Sequence, residues 1–462
     1  MGDTITNRMA ETLKDRTAKG LFWGLMNSGS TQLLNLIIGI VLARLLSPED
    51  YGIVGVLTIF TLIAGDLQSA GFTQGLVNIP HPTARDYNSV FSFNVCMSLL
   101  MYTILFFAAP HIADFFHQPC LTSVSRVVFL TFLISSLGIA HGGYMTKNMM
   151  NKEIAIIGAV ALISSGITGI TLAFLGFTYW SLAWQQVMYI TVLNLGRYYY
   201  VKEWRPRLTL DFGPVLYMAP FALKILATKI INTLSNNILT VIFGRLFPIA
   251  AVGNYSQAYK WNTMASQLIS NTVGQVAQPV LVEAKASQME NGKWKMKNEA
   301  SAEDNRALRV FRKMLRFTAF CSIPTMLCFA AVAYPFIWIT VGEKWLGCVP
   351  LLQVLCLCGA ILPIHTVYQN LAISQGRSDI FMWLNIGQIV VQIIVIIAFS
   401  HLGMFPMVCA YSVMMILWII PWHWCTARLI GYKWTDLMRD INPLCNIREV
   451  LAEAKGFIRN RE

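Results

Sequence analysis

Long apolar runs recur along the whole chain, and they constrain its fold more than any other feature. Twelve runs can be placed, with approximate cores at 21–43, 53–72, 89–109, 124–146, 154–175, 178–197, 214–243, 254–281, 316–336, 348–373, 381–400 and 403–425. A helix needs about 20 apolar residues to cross the hydrocarbon of a bilayer. Because backbone polar groups find no water there, each crossing is predicted to be a helix. The sequence therefore predicts an all-α polytopic membrane protein with about twelve transmembrane helices.

The charge of the chain supports a membrane protein rather than a nucleic-acid-binding one. Charged residues make up 13% of the 462 residues, whereas soluble domains carry about 25%. The net charge is +12, but basic residues of membrane proteins collect on the cytoplasmic side. We therefore expect no nucleic-acid partner.

The distribution of lysine and arginine predicts the orientation. With the N-terminus in the cytoplasm, the outer side receives only four basic residues, Arg44, Arg126, Arg245 and Lys344. Nearly all the others then fall on the inner side, as the positive-inside rule requires. Both termini are predicted to be cytoplasmic, with an amphipathic lead-in at 1–20 and a tail at 431–462.

A single long charged loop separates two halves of the chain. This loop, 282–315, is predicted to be cytoplasmic and to belong to a C-lobe at 210–430, which holds spans 7–12. Spans 1–6 form the predicted N-lobe at 21–209. Two lobes of six helices with the same orientation would be parallel, pseudo-symmetric repeats around a central cavity.

Short sequence matches support the repeat. Arg44-Leu45-Leu46-Ser47-Pro48, followed by Gly52, resembles Arg245-Leu246-Phe247-Pro248, followed by Gly253. His141-x-x-Tyr144 in the fourth span likewise resembles His365-x-x-Tyr368 in the tenth. Each match is short, and their shared order is what favours a repeat.

The eighth span, 254–281, is long enough to cross a bilayer, yet it carries one polar face. Its polar side chains recur mostly at steps of three, four and seven residues, and they include Lys260, Gln267, Asn271 and Gln275. Such a spacing aligns them on one side of a helix. Polar side chains in hydrocarbon are costly unless they face water or each other. We therefore interpret this helix as one wall of a wet cavity.

Other spans contribute further polar side chains, which are candidates for the same cavity. They are Lys224, Lys229, Asn232 and Asn236 in span 7; Asn27, Thr31 and Asn35 in span 1; Asp66 in span 2; and Asn385 and Gln388 in span 11. Three lysines against one acid predict a cationic cavity that attracts an anion. The alternatives stay open: any amide could make an interhelical hydrogen bond, and the lysines could snorkel to the interface or pair with Asp66.

Three further patterns were weighed against a functional role. His111-x-x-Asp114-x-x-His117 lacks the i, i+4 pair that grips one ion from a helix face, so no metal site is expected. Gly142-Gly143 is interpreted as a place of close helix packing, and the basic run in loop 282–315 as a solvated, lipid-facing segment. No phosphate loop, nucleophile elbow or carboxylate pair is present, so neither catalysis nor a cofactor is expected.

Four motifs, in this order, resemble a known family. They are Ala43-Arg44-Leu45-Leu46-Ser47-Pro48-Glu49-Asp50-Tyr51-Gly52, Gly253-Asn254-Tyr255-Ser256-Gln257-Ala258-Tyr259, Gly342-Glu343-Lys344-Trp345 and Gly376-Arg377-Ser378-Asp379. They are similar to landmarks of bacterial polysaccharide flippases of the multidrug/oligosaccharidyl-lipid/polysaccharide exporter superfamily. The resemblance covers about residues 17–430.

This resemblance implies a twelve-helix protein of the bacterial inner membrane. Such flippases move oligosaccharides linked to a polyprenyl diphosphate, of the undecaprenyl type, to the periplasmic leaflet for capsule, O-antigen or exopolysaccharide synthesis. The three lysines would then bind the diphosphate, the hydroxyl and amide side chains of the candidate set would bind the glycan, and Asp66 is the candidate for coupling to a proton or sodium ion. Besides membrane lipid, a polysaccharide polymerase is an implied partner. One departure is that relatives often carry an acid in span 7, about where Asn236 and Asn237 stand here.

Two other functions are kept as alternatives. A drug exporter of the same superfamily would favour acids in its cavity, whereas lysines outnumber acids here. A membrane polysaccharide polymerase or ligase would present a large outer loop with catalytic residues, and the outer loops here are short.

Overall fold

The computed structural model describes residues 13–69, 72, 75–76, 79, 81–209, 211–286, 289–290, 293–294 and 306–441. Within these ranges the chain is almost entirely helical, apart from one pair of two-residue strands. Its contacts divide it into two compact units, Met1–Gly253 and Asn254–Glu462. Each unit is described by itself.

Unit 1 contains seven long helices and the first residues of an eighth. They are α1 (Leu13–Leu45), α2 (Pro48–Ser69), α3 (Ala84–Phe115), α4 (Leu121–Lys147), α5 (Asn151–Phe174), α6 (Tyr179–Tyr200), α7 (Gly213–Leu246) and the start of α8 (Ile249–Ala286). Helix α5 packs against α1 and α6, and α4 packs against α3 and α6. Helix α7 packs against α2 and α3 and so belongs to unit 1 by its contacts.

Capping boxes explain where two of these helices begin. At α2, the Ser47 backbone N–H donates to Asp50 Oδ2 (2.8 Å), while the Asp50 N–H donates to Ser47 Oγ (3.2 Å). Thr83 and Asp86 make the same reciprocal pair at α3. Each box satisfies two N–H groups that have no partner within the helix. The Ser-Pro-Glu-Asp part of the first motif is therefore a helix start, with Pro48 at the position where it is tolerated best.

The glycine that follows each repeated motif, Gly52 or Gly253, lies at a close backbone contact between α2 and α8. A Cβ atom at Gly52 would lie 2.1 Å from the carbonyl oxygen of Ile249, and one at Gly253 would lie 1.7 Å from that of Pro48. Neither distance leaves room for a side chain. Glycine is needed at both positions because the two backbones touch there.

The segment between α6 and α7 is tied to the first turns of α3. Arg85 Nε donates to Asp211 Oδ2 (2.5 Å), and Ser89 Oγ donates to the carbonyl of Asp211 (2.5 Å). The hydrogen bond from Arg85, and then that from the Gly213 N–H, hold the pKa of Asp211 below its ordinary value. This segment also positions Trp204, whose ring packs 5.4 Å from that of Tyr87.

Unit 2 continues α8 and adds seven helices. They are α9 (Arg306–Ala331), α10 (Ala333–Thr340), α11 (Val349–Ser374), α12 (Ser378–Phe399), α13 (Met404–Leu417), α14 (Ile419–Ile430) and α15 (Trp434–Ile441). The strands β1 (Met289–Glu290) and β2 (Lys293–Trp294) pair antiparallel, and short 3-10 turns lie at Glu343–Cys348 and Ser400–Leu402. Helix α11 packs against α9 and α13, and α15 packs against α9.

An aromatic trio occurs in each unit, and two of its three members stand at matching positions. In unit 1, Tyr87 packs against Tyr144 (5.5 Å between ring centroids) as well as against Trp204. In unit 2, Phe311 packs against Tyr368 (5.2 Å) and Tyr432 (5.4 Å). Phe311 and Tyr368 each lie 224 residues after Tyr87 and Tyr144. The contact between α3 and α4 in unit 1 therefore recurs between α9 and α11 in unit 2. Helices α4 and α11 carry the two copies of the His-x-x-Tyr motif.

Asp440 ties α15 to α9 through a buried charge. Its carboxylate is completely buried and accepts from Arg312 Nε (2.8 Å), Arg316 Nε (2.7 Å) and the Tyr432 hydroxyl (3.0 Å). Burial, followed by the charge of Asp440, raises the pKa of Tyr432. The tail predicted at 431–462 thus begins with a helix that is docked rather than solvated.

The described residues contain eight helical stretches long and apolar enough to cross a membrane. They are Pro48–Leu67, Ala84–Phe115, Leu121–Lys147, Asn151–Phe174, Leu308–Ala331, Glu343–Ser374, Asp379–Leu402 and Met404–Ile430. The all-α, multi-pass membrane class is confirmed. Helices α1, α6, α7 and α8 cover the other four predicted spans and do not reach this threshold, since lysines and amides lower the hydropathy of α7 and α8. Their crossing stays a prediction.

Candidate functional site

The predicted coupling carboxylate contacts α7 inside unit 1. Asp66, near the end of α2, accepts a hydrogen bond from Thr233 Oγ1 of α7 (2.7 Å). Both side chains are half-buried. Asp66 therefore lies against α7, the helix that carries two of the three predicted lysines.

The predicted polar face of α7 is accessible in part. Lys229 lies one helical turn before Thr233 and so shares its face, and Lys229 and Asn232 are half-buried while Asn236 is exposed. The Asn237 amide donates to the carbonyl of Thr233 (2.9 Å). The side chain of Lys224 lies outside the described residues. Helix α7 thus presents a cation and amides beside Asp66.

On α1, the side chains of Thr31 and Asn35 are half-buried, and that of Asn27 lies outside the described residues. These residues recur every four positions and therefore share one helix face. Contacts group α1 with α5, and the role of this face in binding stays a prediction.

On α8, the predicted amides differ from the predicted lysine. Gln267 and Asn271 are exposed, whereas Lys260 is half-buried with its ammonium 6.0 Å from the ring of Trp261. That distance is at the limit of a cation–π contact. The side chain of Gln275 lies outside the described residues. Two of the three predicted α8 amides are therefore accessible within unit 2.

On α12, both predicted amides are buried in helix packing. Asn385 Nδ2 donates to the carbonyl of Phe381 in its own helix (2.7 Å). Gln388 Nε2 donates to the Met415 sulfur of α13 (3.4 Å). The contact of Gln388 corresponds to the interhelical alternative considered for each amide, whereas that of Asn385 stays within its own helix. Binding of a glycan by Asn385 and Gln388 is the least supported part of the predicted set.

An arginine that the sequence did not single out lines a cavity in unit 1. The cavity has a volume of about 360 Å³ and lies between α2, α4, α5 and α6, lined among others by Gly65, Ser135, Gly142, Ile154 and Arg197. Arg197 falls in the last turn of α6, where the sequence suggests only an inner-side charge.

Glycines of α4 make room for Arg197 and its neighbour Asn194. A Cβ atom at Gly138 would lie 1.8 Å from Asn194 Oδ1, and one at Gly142 would lie 3.5 Å from the Arg197 guanidinium carbon. Arg197 Nη1 donates to the carbonyl of Gly138 (3.2 Å) and to Asn194 Oδ1 (3.4 Å). Gly138 and Gly142 therefore leave the space that the side chains of Asn194 and Arg197 occupy. The corresponding pattern in the sequence is two glycines four residues apart in α4 and an arginine in α6.

In the described ranges, no group of three or more His, Cys, Asp and Glu side chains is placed to hold a metal ion. His117 of the weighed His-x-x-Asp-x-x-His pattern contacts the Arg245 guanidinium. A cation so close would oppose a metal at that histidine.

The chain belongs to the family described as Polysaccharide biosynthesis protein, whose sequence profile matches residues 41–350. The resemblance to polysaccharide flippases of this exporter superfamily is confirmed at this level. The match begins just before the Arg-Leu-Leu-Ser-Pro motif and includes α7 and α8.

Relatives with curated descriptions agree with the family. The lipopolysaccharide biosynthesis protein WzxC of Escherichia coli (strain K12) is 22% identical over 381 residues, which is 81% of this chain and 73% of the relative. The succinoglycan biosynthesis transport protein ExoT of Rhizobium meliloti (strain 1021) is 23% identical over 436 residues, or 94% of this chain and 83% of the relative.

Solved structures with the same fold include a lipid II flippase and a multidrug transporter. The lipid II flippase MurJ in its inward closed conformation gives a TM-score of 0.62 at 13% identity, covering 91% of this chain and 90% of that one. An inward-facing multidrug resistance MATE family transporter of the MOP superfamily gives 0.65 at 16% identity, covering 87% and 94%. These identities are too low to carry more than the fold.

Proposed function

We propose that the chain is a flippase for oligosaccharides linked to a polyprenyl diphosphate of the undecaprenyl type. It would move them from the cytoplasmic to the periplasmic leaflet of the bacterial inner membrane, for capsule, O-antigen or exopolysaccharide synthesis. The observation that carries this proposal is the family match over residues 41–350. Relatives named for lipopolysaccharide biosynthesis and for succinoglycan transport support it.

The proposed mechanism is alternating access by two six-helix lobes, 21–209 and 210–430, with both termini in the cytoplasm. Such a protein exposes a fixed central site to one side at a time. A lipid-linked oligosaccharide has an anionic diphosphate, a polar glycan and an apolar tail. The cation of Lys229 suits the diphosphate, the amides suit sugar hydroxyls, and the tail stays in lipid. Asp66 would carry the coupling proton or sodium ion, and a polysaccharide polymerase would consume the delivered units.

A deletion strain tests the function itself. Lipid-linked oligosaccharides should accumulate on the inner leaflet, where a membrane-impermeant glycan-modifying reagent added to intact spheroplasts does not reach them. The full-length chain should restore their accessibility and the surface polysaccharide. Intermediates that reach the outer leaflet as fast in the deletion strain would contradict a flippase.

Lys229 tests the site. Lys229→Ala should lower translocation at least tenfold at normal expression, because removing the partner of a charge-assisted contact costs about 1.5–3 kcal/mol. Lys229→Arg should restore part of it. Lys433→Ala is the matched control, since Lys433 is exposed on the connection between α14 and α15. If the Lys229→Ala strain makes full surface polysaccharide, Lys229 is not part of the site, and the proposed function itself is not contradicted.

The fold shared with a MATE transporter keeps a second candidate, export of a small molecule. A cationic drug would bind a cavity with more acids than bases, whereas α7 presents Lys229 beside the single acid Asp66. Drug resistance conferred by expression in a sensitive strain, with unchanged lipid-linked intermediates, would favour the exporter. Glycan joining by the purified protein would instead indicate a polymerase or ligase.

A further inference from the structure

We propose that the cavity around Arg197 in unit 1 binds the phosphate of a lipid head group. The cavity lies wholly within α2, α4, α5 and α6 and includes none of the residues predicted for the central site. It is a second site, and it does not depend on the proposed function.

The charge at the cavity is positive, and no carboxylate of the described residues compensates it. Arg197 makes hydrogen bonds only from Nη1, to a carbonyl oxygen and an amide oxygen, and both are long for a charged donor. The N–H groups on Nε and Nη2 make no hydrogen bond to a described residue. No described carboxylate contacts this guanidinium. A guanidinium with unused donors matches the oxygens of a phosphate group.

The backbone of α4 lets a ligand approach this cation. Gly142 lines the cavity, and a Cβ atom there would lie 3.6 Å from Nη2 and 3.8 Å from Nε of Arg197. The unused donors therefore border the open side of a glycine. A volume of about 360 Å³ is within the range of small-ligand sites, about 300–1,000 Å³.

The other walls of the cavity suit a lipid. They carry five large aliphatic side chains, Ile139, Ile154, Ile157, Ile190 and Leu193. An arginine among aliphatic side chains matches a ligand that has one anionic group and one apolar chain. A free inorganic anion would gain nothing from these walls, which is why we assign the site to a lipid.

One end of the cavity, where Arg197 lies, corresponds to the head-group level of a bilayer. Thr146 lies in the last turn of α4, Ile154 in the first turn of α5 and Arg197 in the last turn of α6. All three ends fall on one side, because consecutive antiparallel helices alternate direction. Helix ends meet the phosphates of the bilayer, where basic pockets between helices bind lipid head groups.

The phosphate could come from a bilayer phospholipid or from a polyprenyl diphosphate. The second source rests on the proposed function, whereas the first does not. The experiment therefore uses both lipids as separate probes with the full-length purified protein.

Binding is measured by native mass spectrometry or by retention of radiolabelled lipid in an uncharged detergent, with phosphatidylglycerol in one series and undecaprenyl diphosphate in the other. Arg197→Gln should weaken binding of at least one lipid by about tenfold to a hundredfold, since charge-assisted contacts are lost. Arg197→Lys should keep part of it. Ser135→Phe should weaken binding of the same lipid, because the larger side chain fills the cavity while Arg197 stays in place.

Arg205→Gln is the matched control, because Arg205 is exposed on the segment after α6 and makes the same change in net charge. It should bind both lipids as the unaltered protein does. Loss of phosphatidylglycerol alone assigns the site to the bilayer, and loss of undecaprenyl diphosphate alone assigns it to the cargo. The proposal is overturned if Arg197→Gln binds both lipids normally, or loses no more than Arg205→Gln. If Arg197→Gln does not fold, normal binding by Ser135→Phe overturns it equally. Transport plays no part in this measurement, so its outcome is independent of whether the protein flips its cargo.

Discussion

Removing the charge of Asp440 should release α15 from α9. The carboxylate is completely buried and accepts from two guanidinium groups, those of Arg312 and Arg316, and from the Tyr432 hydroxyl. Asp440→Asn preserves the size of the side chain but removes the buried charge that both guanidinium groups contact. Removing one partner of a buried ion pair costs about 3–5 kcal/mol.

Hydrogen exchange of the α15 amides measures this loss directly. Helix α15 has only eight residues, and a helix so short is not stable by itself in water. Its amides are therefore protected only while it is docked. A loss of about 3–5 kcal/mol corresponds to exchange that is about 100- to 3,000-fold faster, at about 1.4 kcal/mol per factor of ten. Mass spectrometry of peptides covering 434–441 detects such a change.

Asp436→Asn is the matched control on the same helix. Asp436 Oδ1 lies 3.4 Å from Arg312 Nη2, and its side chain is 32% exposed. A partly exposed pair contributes about 1 kcal/mol or less, so exchange should rise less than about fivefold. If the exchange curves of Asp440→Asn and the unaltered protein coincide, the buried charge does not hold α15, and the reasoning is wrong.

Two further predictions concern unit 1. Gly52→Ala should lower stability by about 1–3 kcal/mol, since its Cβ would lie 2.1 Å from the Ile249 carbonyl oxygen and the backbones must separate. Gly65→Ala is the control and should be neutral or stabilising, because no atom lies within 4 Å of the added Cβ. The unfolding temperatures of the two purified variants check both expectations. Asp211→Asn should speed hydrogen exchange of peptides covering 206–214 at pH 7. Because the folded state lowers the pKa of Asp211, its contribution is present above the unfolded value of about 3.9 and is lost as the pH falls through the lower folded value, so the two proteins should converge in acid.

Periodicity and apolarity predicted the class of the fold and the positions of its helices, because a membrane leaves the backbone few choices. The predicted span at 316–336 is divided between α9 and α10 around Val332, and the span at 403–425 between α13 and α14 at Trp418. A proline stands three residues after each division, Pro335 and Pro421, in the first turn of the following helix, where proline is tolerated and where it cannot continue the helix before it.

Contacts between distant segments could not be predicted. Arg312 belongs to the basic run in loop 282–315, whose sequence predicts a solvated segment, yet its guanidinium pairs with Asp440, 128 residues later. Arg197 was counted as an inner-side charge, and its surroundings depend on a glycine of α4, 59 residues earlier. Local patterns report which side chains share a helix face. They do not report which helix that face meets.

The contact between Gly52 and Gly253 has a consequence for how substitutions combine. Ile249 lies 201 residues after Pro48, and Gly253 lies 201 residues after Gly52. Pro48 and Ile249 therefore occupy equivalent positions in the two motifs, as do Gly52 and Gly253. Gly52 faces the carbonyl of Ile249, and Gly253 faces the carbonyl of Pro48. That exchange is the geometry of two identical surfaces meeting across a two-fold axis. A methyl group at either position forces apart the same pair of backbones and thereby makes room for a methyl group at the other. The loss of stability in the double variant should therefore be smaller than the sum of the losses in the two single variants. Once one glycine has been replaced, replacing the other should lower stability little further.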